Sequence, residues 1–157
     1  VRLAGYGETS DAHHISAPHP QGLGAEAAMR AALDHAGVAP SDISYINLHG
    51  TGTEHNDLME SLAVARVFGE SMPCSSTKPL TGHTLGAAGA LEAIFCYLTL
   101  RAGGQLPPHL WDGIADPALA PLNGLGLDRL PSPARFVMSN SFAFGGNNIA
   151  LILDHCS

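Results

Sequence analysis

The spacing of apolar and polar residues changes between a helical and an extended period along the chain, which predicts alternating helices and strands. Small apolar residues at helical spacing, with charged residues four apart, predict a helix over residues 23–36 that Gly37 ends. Two further helices are predicted, over residues 57–68, with an acidic start like a capping box, and over residues 86–100. The predicted strands are residues 2–7, 43–48, 74–76, 136–139 and 149–153.

This order, β-α-β-α-β-α-β-β, predicts an α/β fold in which helices pack against a mixed sheet. The last two strands are expected to pair antiparallel through the turn at residues 141–148. Because ligands in such folds bind at loops beyond strand ends, the polar or glycine-rich loops are informative. They occur at residues 49–53, 78–83 and 140–148, and we expect them to converge on one site.

Composition narrows the class of protein. The 157 residues are 45% apolar and 13% charged, which favours one compact domain with its own core. There is no basic-then-apolar leader and no apolar run of membrane-spanning length, so we expect a soluble, cytoplasmic protein that binds no membrane. A formal charge of −7 with seven scattered basic residues offers no cationic stripe, so nucleic acid is not an expected partner.

Cysteines and most histidines carry no pattern of metal or disulfide chemistry. Cys74, Cys96 and Cys156 are odd in number and widely spaced, which fits neither a disulfide framework nor a zinc site and favours a reducing compartment. Cys74 precedes two serines, but it lies on a short strand rather than at a helix N-terminus, where a thiolate would be stabilised. We therefore predict that Cys74 and Cys96 are core residues and that the chain holds no metal.

The single lysine, Lys78, is the strongest chemical signal. It lies in a run, residues 75–92, that also holds an imidazole, His83, and a carboxylate, Glu92. An isolated lysine is ordinarily a surface residue, but this one lies between a small-residue strand and a nearly uncharged helix. A buried ammonium needs a partner, so we predict that Lys78 pairs with Glu92.

Four motifs follow one another along nearly the whole chain. They are residues 10–14 with 17–18, the His-Gly-Thr-Gly-Thr run at 49–53, Ser-Thr-Lys at 76–78 with Thr-Gly-His at 81–83, and residues 140–146. In this order they resemble the C-terminal half of the β-ketoacyl-acyl carrier protein synthases, elongating condensing enzymes with a thiolase-type fold. That family carries its nucleophilic cysteine in an N-terminal half with no counterpart here. The resemblance predicts that residues 1–157 form a C-terminal domain that begins mid-fold.

The resemblance implies roles for individual residues. His49 and His83 match the histidine pair that stabilises the enolate formed by decarboxylation, and Lys78 nearby would keep both rings neutral. Glu92 would support Lys78 rather than take part in catalysis. Asp57 and Glu60 are interpreted as first-turn helix carboxylates, with some orienting role behind the His49 loop.

Other matched positions would bind or admit substrate. Thr51 and Thr53 correspond to threonines that hydrogen-bond the pantetheine arm. Phe144 corresponds to the gating phenylalanine, whose backbone N–H completes the oxyanion hole, and Phe142 is expected to pack beside it. Ala143 stands where the family usually has glycine, so a positive φ there would strain the gate.

The sequence therefore predicts an acyltransferase domain for decarboxylative Claisen condensation in fatty acid or polyketide synthesis, inactive as an isolated segment. No cofactor is implied beyond the phosphopantetheine of acyl carrier protein. The expected partners are acyl carrier protein, the N-terminal half, and a second subunit in a homodimer or ketosynthase heterodimer. Two alternatives are a non-catalytic chain-length partner subunit, disfavoured by retention of His49, Lys78 and His83, and a thiolase-like relative that does not decarboxylate.

Overall fold

The strands of the computed structural model, which describes residues 1–156, form one mixed sheet. They are β1 (Arg2–Ser10), β2 (Ile43–Asn47), β3 (Cys74–Ser75), β4 (Phe136–Ala143) and β5 (Asn147–Asp154). Across the sheet their order is β1-β5-β4-β2-β3. β2 runs parallel to β3 and β4, whereas β5 is antiparallel to both β1 and β4. The predicted α/β fold and the antiparallel pairing of the last two strands are confirmed.

Helices cover both faces of this sheet. They are α1 (Leu23–Ala36), α2 (Glu54–Phe68), α3 (Lys78–Thr81) and α4 (Ala88–Arg101). The bounds of α1 are those predicted, because Gly37 adopts a φ of 66° and its N–H bonds back to the last turn. None of the helices described within residues 1–156 is long and apolar enough to cross a membrane.

Two hydrophobic cores flank the sheet. Ile46 and Met138 point into the core beneath α1 and α2, whereas their neighbours Tyr45 and Val137 point into the core beneath α4. Because successive side chains of a strand face opposite sides, a sheet covered on both faces needs apolar residues at consecutive positions. This explains the continuous apolar runs of β2 and β4.

α1 lies unusually close to β1. A Cβ at Gly7 would lie 2.1 Å from the backbone oxygen of Ala28, and one at Gly5 would lie 2.5 Å from that of Ala32. These glycines and the alanines of α1 therefore let the helix backbone approach the strand backbone directly.

The start of α2 differs from the prediction. The helix begins at Glu54, with Thr53 as its N-cap residue in an extended conformation and no side-chain cap. The helix was predicted from its periodic apolar residues, and these occur only in its later turns because the first helical residues are polar. The predicted capping box at residues 57–60 is therefore wrong.

The strands extend further than their apolar pattern. β1 continues to Ser10, which pairs with Asn147, and β4 continues to Ala143 in the same hairpin. The connection between β4 and β5 is therefore the short 3₁₀ turn Phe144–Gly146 rather than residues 141–148. Backbone pairing, which needs no apolar side chain, extends the strands here.

Candidate active site

The three predicted loops converge on one cavity. They follow β2, β3 and β4, and residues from all three line a cavity of about 620 Å³ together with the segment that follows β1. His49, His83 and Phe142 lie in its wall. The convergence expected from the order of elements is confirmed.

The two imidazole rings contact each other. The ring centroids of His49 and His83 are 5.4 Å apart with an edge-to-face angle of 84°. The His49 ring also packs edge-on against Phe142, at 5.9 Å, and His49 is only 6% exposed. His83, by contrast, is exposed at the cavity.

Hydrogen bonds define the tautomer of each ring. The Lys78 ammonium, which can only donate, lies 3.4 Å from Nδ1 of His49. The backbone N–H of Leu85 donates to Nδ1 of His83 at 3.3 Å. Because each Nδ1 accepts, a neutral ring carries its proton on Nε2. Both histidines therefore have an Nε2–H to donate to a bound group.

Burial is the main reason why His49 is neutral. Desolvation, followed by the positive charge of Lys78 and by His83, lowers the pKa of His49 to about 3. From the sequence, the neutral state of His49 was predicted to come from Lys78, but the charge of Lys78 lowers the pKa of His49 less than burial does. A buried imidazole of this kind stays uncharged across the physiological pH range.

Lys78 lies behind His49. Its side chain is 5% exposed, and its ammonium contacts the carboxylate of Glu92 and the backbone oxygen of His49. Burial raises the pKa of the Glu92 carboxyl, and the hydrogen bond and charge of Lys78 oppose that rise. The predicted ion pair is present, and it ties α4 to the His49 loop.

Glu60 supports the same loop from α2. Its carboxylate, 2% exposed, accepts the backbone N–H of His49 at 2.9 Å and that of Gly50 at 2.8 Å. The side-chain amides of Asn56 and Asn140 donate to it at 3.3 and 3.4 Å. Burial raises the pKa of Glu60 to about 7, against the lowering effect of the hydrogen bonds from Gly50, His49 and Asn140. Glu60 therefore holds the His49 loop through hydrogen bonds and does not cap the helix.

Asp57 has a smaller structural role. It lies in the first turn of α2, is partly exposed, and accepts a hydrogen bond from the Asn56 side chain at 3.1 Å. The interpretation of Asp57 as part of a capping box is wrong, because Thr53 occupies the N-cap position.

Asn140, Asn148 and Asp11 contribute to the site but were not predicted from the sequence as site residues. Asn140 is buried on β4, and its amide reaches Glu60 across 80 positions of the chain. Asp11 accepts a hydrogen bond from the side chain of Asn148 at 2.8 Å and so joins the segment after β1 to β5. Asparagine is depleted in strands, so an asparagine directly after the apolar strand run at residues 136–139 was the available signal for Asn140.

The proposed substrate-binding hydroxyls lie at the cavity. The Oγ1 atoms of Thr51 and Thr53 are 2.8 Å apart, and both residues line the wall. Positive φ angles at Gly50 and Gly52 turn the loop between β2 and α2 so that it reaches the cavity.

Of the two phenylalanines near the final turn, one is buried and the other is exposed to solvent. Phe142 is buried in the core, whereas Phe144 is 80% exposed at the cavity. Ala143 has an extended backbone, with φ of −130°, so the condition for strain there, a positive φ, is not met. β4 runs through Ala143, and the positive φ angles occur instead at Gly145 and Gly146.

The cysteines near the sheet are not activated. Burial raises the pKa of both Cys74 and Cys96 to about 12, which leaves them as neutral thiols. Within the part of the chain that the structure describes, no three potential ligands among histidine, cysteine and acidic residues come together for a metal ion.

Comparison with known proteins yields consistent matches. Residues 1–111 match the family model described as "Beta-ketoacyl synthase, C-terminal domain". Over 160 residues the chain is 42% identical to 3-oxoacyl-[acyl-carrier-protein] synthase 2 of Staphylococcus aureus, covering 97% of this chain and 38% of that protein.

Solved structures give the same picture. A ketosynthase in complex with its chain length factor, from Xenorhabdus doucetiae, matches with a TM-score of 0.91 and 56% identity, over 98% of this chain and 39% of that one. A β-ketoacyl synthase from Burkholderia phymatum matches with a TM-score of 0.90 and 41% identity, over 99% and 37%. The chain thus spans well under half the length of these relatives.

Proposed function

The chain belongs to the β-ketoacyl synthase C-terminal domain family, and from that premise we propose that it provides the decarboxylating side of a 3-oxoacyl-acyl carrier protein synthase site. The observation that carries the proposal is the pair of rings His49 and His83, in contact and each with a free Nε2–H. Paired neutral donors suit an oxygen on which negative charge develops.

The proposed chemistry is a decarboxylative condensation. Loss of carbon dioxide from a malonyl thioester leaves the electron pair of the broken C–C bond on the enolate, whose oxygen accepts hydrogen bonds from His49 and His83. The enolate carbon then attacks an acyl thioester, forms the new C–C bond and releases the thiol that carried the acyl group. We assign that thiol to a cysteine of the remaining synthase, because Cys74 and Cys96 are buried.

The other site residues support this step. We propose that Lys78, paired with Glu92, acts through His49 by holding its loop and its tautomer, since its side chain lies behind the ring. Thr51 and Thr53 would hydrogen-bond the pantetheine arm. Phe144, exposed at the cavity, would be the gate that the acyl chain displaces.

Partners follow from the uncovered surface and from the relatives. Ile94, Tyr97 and Leu98 on α4 are about half exposed, which supports packing of a further part of the synthase against this helix. We propose acyl carrier protein as substrate carrier, a cytoplasmic location, and a homodimer or a heterodimer with a chain length factor. The alternative, a non-catalytic subunit of such a heterodimer, is disfavoured because it needs neither histidine.

The test joins this chain to the N-terminal remainder of the Staphylococcus aureus relative and measures carbon dioxide release from malonyl-acyl carrier protein. His49→Ala and His83→Ala should each lower the rate by about 100-fold or more, the cost of losing one oxyanion donor. Acylation of the cysteine nucleophile should persist in both variants. His35→Ala, which changes an exposed histidine of α1, is the matched control.

Unchanged carbon dioxide release in both histidine variants would overturn the proposal. Pantetheine binding to the chain alone gives an independent measurement, by NMR of the Thr51 and Thr53 amides. We expect Thr51→Val to weaken that binding, because it removes one of the two hydroxyls while keeping the side-chain shape.

A further inference from the structure

Ser76 joins the two loops that carry the proposed catalytic groups. Its hydroxyl donates to the backbone oxygen of Gly50 at 2.7 Å, and the backbone N–H of Lys78 donates to that hydroxyl at 3.3 Å. A Cβ on Gly50 would lie 2.6 Å from the Cβ of Ser76, so the missing side chain of Gly50 lets the two loops pack directly together. The position of Ser76 therefore sets how far the Lys78 turn lies from the loop that begins at His49.

The backbone of Ser76 is held in turn by a histidine 33 positions further along the chain. Nδ1 of His109 accepts the Ser76 N–H at 3.1 Å, and the Ser76 oxygen lies 3.3 Å from the same nitrogen. Ser76 is only 4% exposed, and a buried N–H that loses its acceptor destabilises the fold. His109, which is half-buried, therefore fixes the backbone of Ser76.

That histidine belongs to a loop that is itself fixed. Residues 106–126, which we call the edge loop, run beside β3, the strand at one edge of the sheet. The oxygen of Gly124 accepts the N–H of Cys74 at 3.1 Å, and the oxygen of Pro107 accepts the hydroxyl of Ser75 at 3.3 Å. These contacts lie on either side of the histidine in sequence, so its ring is presented by an anchored part of the chain.

The geometry of the two joined loops is sensitive to small shifts. The Lys78 ammonium lies 3.4 Å from Nδ1 of His49, which is near the longest distance at which a hydrogen bond forms. A separation larger by a few tenths of an ångström would lose the contact that fixes the tautomer of the ring. A misplacement of about 1 Å, caused by a change far from the reacting atoms, can lower a reaction rate about 100-fold.

We propose that His109 is a positioning residue of the site, which acts through Ser76 to keep the Lys78 ammonium within reach of the His49 ring. His109 does not line the cavity, so it acts without touching a molecule bound there. Its effect on catalysis rests on the proposed function, whereas its effect on the geometry of the two loops does not.

Two variants of equal shape test this role by NMR of the full chain. His109→Leu removes the nitrogen that accepts the Ser76 N–H, whereas His109→Asn offers a polar atom at the same place. We expect the ¹⁵N signal of His49 Nδ1 to move downfield in the leucine variant, because this nitrogen loses its donor, and to return in the asparagine variant. His155→Ala, which changes an exposed histidine after β5, is the control and should leave the signal unchanged.

Two further measurements complete the test. In the joined synthase, carbon dioxide release should fall about tenfold in His109→Leu and return to within about twofold of the wild type in His109→Asn. In the wild-type chain, a ¹⁵N–¹⁵N coupling between the Ser76 amide and His109 Nδ1 should be seen across their hydrogen bond. This coupling needs no substitution, so it tests the contact even if the leucine variant does not fold.

The positioning role is disproved by any of three results. The coupling is absent, the His49 signal is the same in His109→Leu as in the wild type, or His109→Asn behaves like His109→Leu. A contact that only stabilises the fold would lower the melting temperature of the leucine variant and leave the His49 signal in place. Neither NMR readout involves turnover, so failure of the positioning role and failure of the proposed reaction remain distinguishable.

Discussion

The carboxylate of Glu60 holds the backbone N–H of His49 at 2.9 Å, so an acid from the second turn of α2 positions the loop that carries the buried imidazole. The same carboxylate, which is 2% exposed, also accepts the N–H of Gly50. The ring of His49 is thereby presented to the cavity from a loop that is fixed on its inner side.

The first prediction concerns this acid and pH. Burial raises the pKa of Glu60 to about 7, so the folded state binds its proton more tightly than the unfolded state does. That contribution to stability is fully present below the unfolded pKa and is lost as pH rises through about 7. The free energy of unfolding should fall from about pH 5 to about pH 8 by up to about 3 kcal/mol on this account.

Urea denaturation of the wild type and of Glu60→Gln at both pH values isolates this contribution. The amide does not titrate, so the difference in unfolding free energy between the two proteins should change with pH. His49 has a lowered pKa and makes a contribution of opposite sign, lost as pH falls towards about 3, but it is present in both proteins. A pH-independent difference would show that Glu60 does not titrate in this range.

The second prediction concerns the ion pair of Lys78 and Glu92. Glu92→Ala should reduce the free energy of unfolding by about 3–5 kcal/mol, because it leaves a buried ammonium without a partner. Lys78→Met should cost less, since the remaining carboxyl, whose pKa burial raises, can take up a proton. Thermal melts of the two variants rank them, and equal small shifts would contradict a buried pair.

The third prediction concerns the close approach of α1 to β1. Gly7→Ala should destabilise the fold by about 1–3 kcal/mol or more, because the added methyl meets a backbone oxygen that cannot turn away. Gly86→Ala is the matched control, since its Cβ would enter open space at an ordinary φ. Denaturant midpoints should shift strongly for the first and little for the second; similar shifts would mean that α1 moves outward freely.

The fourth prediction concerns thiol reactivity. With iodoacetamide at about pH 8, Cys156 should react while Cys74 and Cys96 stay unmodified, because burial keeps both as neutral thiols. Mass spectrometry of the folded and the urea-unfolded chain locates the label. Acylation or rapid alkylation of Cys74 in the folded chain would contradict its assignment to the core.

Local patterns were enough to predict the elements whose ends are encoded locally. α1 begins and ends as predicted because its apolar spacing is regular and Gly37 supplies the left-handed residue that closes it. The loops that carry the His-Gly-Thr and Thr-Gly-His runs could likewise be predicted, because each run is recognisable in the sequence itself. The pairing of Lys78 with Glu92 could be predicted because both residues lie in the same short stretch of the chain.

The tertiary structure decided what depends on distant residues. β1 reaches Ser10 because Asn147, far along the chain, pairs with it, and no local spacing encodes that partner. Glu60 looked like a helix cap, yet the fold buries it and surrounds it with N–H donors from the loop after β2, from β4 and from its own helix. His49 is neutral chiefly because burial removes its solvent. Sequence spacing determines which groups are available, but desolvation is a property of everything packed around a group, so only the folded chain sets it.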